Sequence, residues 1–224
     1  MTSYLNTENI ARSKDGVEYH PLRPFLPENA KVLFLGSFPP QRKRWCMNFY
    51  YPNFINDHWR IEGQIFFGDR NHFVDLDAKR FKIEEIVAFC QEKGLAFFDT
   101  STAIRRLQDN ASDKFLEVAR PTDIASLLAQ MPGCKAIAVT GQKALETFID
   151  ANRPLMASST PELSKTDMKP LDIKDIKIGE PVAIKIPAGR ELLLFRMPST
   201  SRAYPLSLEK KAVSYHKLFE AVLG

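Results

Sequence analysis

The sequence predicts an α/β fold in which helices cover both faces of a mostly parallel, doubly wound sheet. Short apolar runs of strand length alternate with segments whose apolar residues recur at helical spacing. Glycine or proline follows several of these segments, as expected where strands and helices end. Because parallel strands need long crossover connections, usually helices, this alternation favours a parallel sheet.

Four apolar runs are predicted to be core strands, and the last is paired with one further strand. The first run, Lys-Val-Leu-Phe-Leu, ends at Gly36, and the second ends at Asp99. A turn at residues 187–190 joins two runs that are predicted to be neighbouring strands. The predicted strands are residues 31–35, 95–99, 134–140, 182–186 and 191–196.

Five segments are predicted to be helices. In the second, Ile83 and Ile86 lie at helical spacing, and Gly94 follows where a glycine cap is expected. Thr122 or Asp123 is expected to cap the third helix. The predicted helices are residues 57–68, 83–93, 122–131, 142–149 and 207–223.

The length and apolar content predict a single domain. The chain has 224 residues, of which 44% are hydrophobic, and this suffices for a sizeable core. Residues 1–30 are polar and then rich in proline, and we expect them to form an N-terminal arm. Residues 151–180 break the rhythm of strands and helices and are predicted to be an insertion. No apolar run approaches the ~20 residues of a membrane span.

Cysteine content and the N-terminus predict a cytoplasmic location with no metal and no cofactor. Cys46, Cys90 and Cys134 lie far apart, which favours reduced thiols over a zinc or iron–sulfur site. The N-terminus lacks the basic and then apolar pattern of a secretory signal. The net charge of +4 fits a polyanionic partner. Residues 42–44, Arg-Lys-Arg, are either a contact for such a partner or a solvated loop.

Two proline-rich loops follow predicted strands near the two ends of the chain. The first is Gly-Ser-Phe-Pro-Pro at residues 36–40, and the second is Met-Pro-Ser-Thr-Ser at residues 197–201. Ligands bind at the carboxyl ends of strands in open α/β sheets, so both loops are candidates for one site. Rigid prolines and small hydroxyl side chains let backbone N–H groups approach a phosphate. The alternative is that both are ordinary connections.

These loops, with the aromatic segment between them, resemble the uracil-DNA glycosylase superfamily, and most closely its hypoxanthine (deoxyinosine) DNA glycosylase branch. That branch carries Gly-Ser-Met-Pro-Gly, then Tyr-Tyr-Ala-His-Pro-Arg-Asn-Ala-Phe-Trp, then Leu-Pro-Ser-Thr-Ser-Pro-Ala-Asn. In this chain Tyr-Tyr-Pro-Asn-Phe-Ile-Asn-Asp-His-Trp follows the first loop at residues 50–59, and Met-Pro-Ser-Thr-Ser-Arg-Ala-Tyr stands at 197–204. The resemblance covers roughly residues 31–149 and 191–222.

The resemblance implies a three-layer αβα fold with a central four-stranded, mostly parallel sheet. It also implies a monomeric base-excision repair enzyme whose partner is DNA that contains damaged or deaminated bases. Members flip the base out of the duplex and hydrolyse its N-glycosidic bond, and uracil or hypoxanthine would be the base here.

The resemblance places the candidate catalytic residues at Asn56 and Asp57. Asn56 matches an asparagine that positions water or contacts the base, and its alternative role is to cap the following helix. Asp57 stands where the branch has a small apolar residue. It is either the base that the first loop lacks or a charge that interacts with the helix dipole.

The first loop and the aromatic segment supply the candidate substrate-binding residues, Gly36, Ser37, Phe38, Pro39 and Tyr51. Phe38 stands where strong uracil-excising relatives have Asp or Asn, so it would stack on the base rather than activate water. Core packing is the alternative for Phe38. Tyr51 matches an aromatic wall that screens base size, or it is a buried structural tyrosine.

The second loop supplies the candidate DNA-binding residues, Pro198, Ser199, Thr200, Ser201 and Arg202. Its counterpart in the family grips phosphates and inserts into the duplex. Classical members have His before the proline, whereas this chain has Met197, which cannot donate a hydrogen bond to the base. Arg202 would contact phosphate, or it faces solvent.

Two other function classes stay open on the sequence alone. The missing Asp or Asn in the first loop and the missing His in the second favour a nucleic-acid-binding module without catalysis. The same crevice would also suit an enzyme that acts on free nucleotides. His58, the histidine within the aromatic motif, is expected to be packed or on the surface.

Overall fold

The structure is a computed structural model, and it describes residue 4 and residues 15–107, 115–153, 155–158, 168–186 and 189–224. The strands β1 to β12 are Val17–Tyr19, Val32–Gly36, Val74–Asp75, Arg80–Phe81, Leu95–Asp99, Ser101–Arg106, Leu116–Pro121, Ala136–Thr140, Met156–Ser158, Met168–Pro170, Pro181–Lys185 and Glu191–Met197. The helices α1 to α5 are His58–Phe67, Ile83–Lys93, Ile124–Ala129, Gln142–Ala151 and Leu208–Leu223.

The main sheet has the strand order β10-β9-β11-β12-β8-β2-β5. Its last four strands, β12, β8, β2 and β5, are parallel, and β11 pairs antiparallel with β12. All four apolar residues of β2, Val32 to Leu35, are fully buried, so both faces of the sheet are covered. The predicted three-layer fold around four parallel strands is therefore confirmed.

Aromatic side chains fix the helices against one face of the sheet. Phe34 of β2 stacks on Phe97 of β5, with ring centroids 5.2 Å apart, and lies 6.3 Å from Tyr215 of α5. The ring of His58, the first residue of α1, lies 5.6 Å from Phe34. This layer sets the position of the start of α1, from which the candidate catalytic residues project.

Local signals in the sequence identified the helix ends well. The helix α2 begins and ends at the predicted residues, and Gly94 follows in a left-handed conformation with φ of 70°. Of the two predicted caps for α3, Asp123 is the one that accepts a hydrogen bond from Ser126 N–H, at 3.0 Å.

A second sheet was not predicted, and it brings the N-terminal arm to the body of the protein. Its strand order is β1-β6-β7, and both pairings are antiparallel. The chain runs from β5 almost directly into β6, which pairs with both β1 and β7. The pairing of Tyr19 with Ala103 places the next residue of the arm, His20, beside the end of β5.

The predicted insertion extends the edge of the main sheet. Strands β9 and β10 pair with each other, and β9 also pairs with β11. Residues 187 and 188 of the predicted turn lie outside the described residues. None of the described helices is both long enough and apolar enough to cross a membrane.

Candidate active-site cleft

A cleft of about 180 Å³ lies where the parallel strands β2, β5 and β8 end. The two proline-rich loops and the aromatic segment all contribute to it, although β8 separates β2 from β12 in the sheet. The residues that line it are Leu22, Gly36, Ser37, Phe38, Pro39, Pro40, Arg44, Tyr50, Tyr51, Pro52, Asn53, Asn56, Asp99, Arg106, Thr140, Ser199, Thr200 and Ser201.

Asn56 lines the cleft and also supports the start of α1. Its Oδ1 accepts a hydrogen bond from His58 N–H at 2.9 Å, which fixes the plane of the amide. Within the described part of the chain, its Nδ2 makes no hydrogen bond. The N-cap of α1 is Asp57, which makes no side-chain cap hydrogen bond, so Asn56 holds the start of the helix from the position before the cap. The amide thus supports α1 with its oxygen, and its nitrogen is a free donor among the described residues.

Tyr51 forms a rigid wall of the cleft. Its ring stacks on the buried ring of His58, with centroids 3.7 Å apart. Its hydroxyl hydrogen-bonds to Thr140 Oγ1 at 3.0 Å. Its φ of 50° is uncommon for a tyrosine, so these contacts hold the backbone in an unfavourable conformation.

Ser37 and Phe38 are both buried, and both line the cleft. The ring of Phe38 packs edge-on against His20 at 5.2 Å and forms a small apolar cluster with Ile104 and Leu116. Phe38 therefore lines the cleft while its ring packs in this cluster.

Asp57 does not lie in the cleft, where a catalytic base would have to act. It is not among the residues that line the cleft, and it is 5% exposed. Its Oδ2 lies 2.9 Å from the Lys211 ammonium, and its Oδ1 lies 3.2 Å from Arg202 Nε. Both of its oxygens are bound to cations outside the cleft lining, so this geometry favours a structural role for Asp57.

Asp57 and Lys211 also join the second loop to α1. The Asp57 N–H donates to the carbonyl of Thr200 at 3.0 Å, and the Lys211 ammonium donates to the carbonyl of Ser201 at 2.9 Å. The side chain of Arg202 is 50% exposed and can therefore still reach a ligand. In this loop the carbonyl of Pro198 accepts a hydrogen bond from the Tyr215 hydroxyl at 3.4 Å.

His58 is packed, as one of its two predicted alternatives states. Its Nε2 lies 3.4 Å from Glu62 Oε1, and both side chains are fully buried. Burial lowers the pKa of His58 well below its ordinary value and raises the pKa of Glu62 well above its own. Burial therefore favours the neutral form of both side chains, and the ring of His58 supports the ring of Tyr51.

The sequence analysis missed a buried pair in the cleft, His20 and Asp99. His20 Nε2 lies 2.8 Å from Asp99 Oδ2, and the two residues are 3% and 7% exposed. An acidic residue directly after an apolar strand was a usable signal for Asp99. No local pattern points to His20, which lies 79 positions earlier in the chain.

Basic residues lie at and near the cleft, and one of them, Arg106, is paired with an acid. Arg44 is exposed and lines the cleft, and the preceding Arg42 lies over the ring of Trp45, 4.4 Å from its centroid. Arg106 also lines the cleft, bound to Glu18 and to the carbonyl of Pro39. Among the described residues, no group of three or more His, Cys, Asp and Glu side chains is arranged to hold a metal ion.

Comparison with known proteins identifies the fold. No protein-family model matches the chain, and no curated protein matches it. A solved structure does: the solution NMR structure of a "putative Uracil DNA glycosylase" from Methanosarcina acetivorans. The match has a TM-score of 0.52 and 19% sequence identity, and it covers 90% of this chain and 99% of that chain. The chain therefore shares the fold of that structure.

Proposed function

We propose that this protein is a DNA glycosylase that flips a deaminated base, uracil or hypoxanthine, into the cleft and hydrolyses its N-glycosidic bond. One observation carries the proposal. The base-binding loop, the aromatic segment with Asn56, and the second loop line the same cleft at the carboxyl ends of parallel strands. A flipped base needs such a pocket with stacking surfaces and hydrogen-bond donors.

The cleft has the groups that this reaction needs. Breaking the bond builds negative charge on the departing base and positive charge on the sugar. Phe38 and Tyr51 offer aromatic surfaces to the base, and the fixed Nδ2 of Asn56 donates to a base oxygen or to water. Gly36, Ser37 and Pro39 shape the rest of the base-binding wall.

The second loop would hold the DNA backbone. Ser199, Thr200 and Ser201 line the cleft, and Arg202 is half-exposed beside it. We assign Asp57 to positioning this loop, since its carboxylate and N–H tie the loop to α1. A monomeric state, a role in base excision repair and a cytoplasmic location belong to the same proposal.

A single-turnover assay with enzyme in excess tests the proposal. The substrates are single- and double-stranded oligonucleotides with one uracil or one hypoxanthine, and unmodified DNA is the control. We expect release of at least one of the two bases and an abasic site at its position. Absence of base release from every substrate would contradict the proposal.

A second candidate is a DNA-binding module of the same fold without catalysis. Two positions favour it: Phe38 replaces an activating Asp or Asn, and the side chain of Met197, where classical members have His, is 1% exposed. This candidate predicts salt-dependent DNA binding without release of any base.

A further inference from the structure

The buried pair of His20 and Asp99 lies at the cleft and takes no part in the proposed base and DNA contacts. Asp99 ends strand β5 and lines the cleft, and it is the one carboxylate among the lining residues that the structure describes. His20 reaches it from the N-terminal arm, with Nε2 2.8 Å from Oδ2. A buried carboxylate normally has such a partner, so the contact alone is not diagnostic.

The orientation of the Asp99 carboxylate is more informative than its contact with His20. Only Oδ2 is bound to His20, and Oδ1 makes no hydrogen bond within the described residues. Oδ1 lies beside Gly36, in space that a side chain at position 36 would fill, because a Cβ there would collide with Oδ1. The absence of a side chain at Gly36 thus leaves room for the carboxylate between the ends of β2 and β5.

His20 is held so firmly that it fixes the carboxylate. Its ring lies 5.2 Å from Phe38 and 4.6 Å from Phe98. Its Nδ1 lies 2.9 Å from the carbonyl oxygen and 3.2 Å from the nitrogen of Leu22. With a proton on Nε2, the imidazole donates to Asp99 Oδ2, which leaves Oδ1 as a free acceptor.

The other candidates for a general base fit the cleft less well than Asp99 does. Both oxygens of Asp57 are bound to cations outside the cleft lining. The amide of Asn56 can orient water but is a poor proton acceptor. The first loop has Phe38 where an acid or amide would act.

We propose that Asp99 is the general base of this protein and that His20 is its positioning residue. The inference rests on the proposed glycosylase function. Asp99 Oδ1 accepts a proton from a water molecule as the water oxygen bonds to C1′ of the sugar. The C1′–N bond breaks, and its electron pair leaves with the base. The proton on Asp99 then passes to the departed base, so the products are the free base and an abasic sugar.

The decisive variant is Asp99→Asn, which keeps the shape of the side chain and an oxygen acceptor for His20. General base catalysis contributes about 10²–10⁴-fold, so we expect at least about a 100-fold loss of the single-turnover rate at saturation. The enzyme concentration for half-saturation should stay unchanged. The matched control is Asp77→Asn, an exposed aspartate in the turn after β3, which should keep the wild-type rate.

Two further variants separate catalysis from structural support. His20→Leu should lower the saturating rate by about tenfold, and adding it to Asp99→Asn should cause no further loss, because both act on one step. If Asp99→Asn does not fold by circular dichroism, Asp99→Ala with added formate replaces it, and formate should restore part of the rate.

The outcomes distinguish this inference from the proposed function. If the wild type releases no base, the proposed function is wrong and this inference falls with it. If the wild type is active and Asp99→Asn keeps its rate, only the inference is wrong. Independent, multiplying losses from His20→Leu and Asp99→Asn, or failure of formate to rescue Asp99→Ala, would also overturn it.

Discussion

Asn56 shows how one side chain serves both the fold and the site. Its Oδ1 accepts from the N–H of His58, and its Nδ2, which lines the cleft with the rest of the residue, makes no hydrogen bond to the described residues. Helix starts and functional amides use the same residue types, so the sequence allowed a structural and a functional role and could not separate them. The buried pair of His58 and Glu62 beneath Tyr51 was not predictable either, because nothing local marks those two residues as fully buried.

Variants of Asn56 separate these two roles. We expect Asn56→Ala to lower the single-turnover excision rate by at least about tenfold. It should also lower the free energy of unfolding by about 1 kcal/mol, because the hydrogen bond to the His58 N–H is lost. Asn56→Ser keeps an oxygen that can accept from His58 N–H, so it should lose the activity and keep the stability. An unchanged rate in both variants would remove Asn56 from the mechanism.

Glu62→Gln should change how stability depends on pH. Burial raises the pKa of Glu62 well above 4.5, so the folded protein keeps this carboxyl protonated. The unfolded chain loses the proton above about 4.5, and the wild type therefore loses stability as the pH rises, by up to about 1.4 kcal/mol per unit. Glutamine is neutral in both states and removes this loss. Urea unfolding at pH 5 and pH 8 should thus show a larger stabilisation by Glu62→Gln at pH 8.

His58 contributes the opposite slope at lower pH. Burial lowers its pKa well below 6.5, so the stability that is present above 6.5 is lost as the pH falls. The wild type should show both dependences of stability on pH. Glu62→Gln should remove only the loss of stability that occurs as the pH rises. Exposed Glu84 on α2 provides the control, since Glu84→Gln should leave the profile unchanged. An identical change between pH 5 and pH 8 in Glu62→Gln and wild type would contradict a protonated Glu62.

At the scale of elements, the helices and parallel strands were predictable, and the second sheet was not. The helix α2 has a complete local signature from Ile83 to Gly94. By contrast, β1 has only three residues, and β6 and β7 carry mixed polar residues, so their pairing depends on contacts distant in sequence. The same holds for the clamp, by which we mean the contacts of Lys211 on α5 with Asp57, just before α1, and with the carbonyl of Ser201 in the second loop. Asp57 and Lys211 lie 154 positions apart in the chain.

Lys211→Met tests this clamp. The substitution keeps the buried stem of the side chain and removes the ammonium that binds Asp57 and the carbonyl of Ser201. The variant leaves the buried Asp57 carboxylate with the half-exposed Arg202 as its remaining cation, so we expect a loss of about 3 kcal/mol in the free energy of unfolding. Lys210→Met, at the exposed neighbouring position, should change it by less than about 0.5 kcal/mol. Equal effects of the two variants in urea unfolding would show that the clamp does not stabilise the fold.

At the scale of the whole molecule, the sequence predicted that the two proline-rich loops meet. It did not predict that His20 from the N-terminal arm reaches the cleft between them. Parallel strands bring their carboxyl ends to one edge, and this explains why the loops at residues 36–40 and 197–201 share a cleft. The position of His20 follows from the pairing of β1 with β6, which no local pattern in the chain indicates. The charge of +4 is small, so its placement matters more than its size.

Removing charge at the mouth of the cleft should weaken DNA binding in a salt-dependent way. Lys43 and Arg44 are exposed on the 3₁₀ turn Arg42–Arg44. Each lost phosphate contact should lower the slope of log affinity against log salt by about 0.9. We therefore expect a smaller slope for the double variant Lys43→Gln/Arg44→Gln in fluorescence anisotropy. Lys135→Gln, just before β8 at the opposite edge of the sheet, should keep the wild-type slope.

The most direct test of the central claim is quantification of free base from an oligonucleotide with a single uracil or hypoxanthine, under enzyme excess. Mass spectrometry would measure the base, and alkaline cleavage would report the abasic site in the same sample. The account predicts equal amounts of free base and abasic site from the wild type, and at least about tenfold slower release from Asn56→Ala. DNA binding by the wild type without any free base would contradict it.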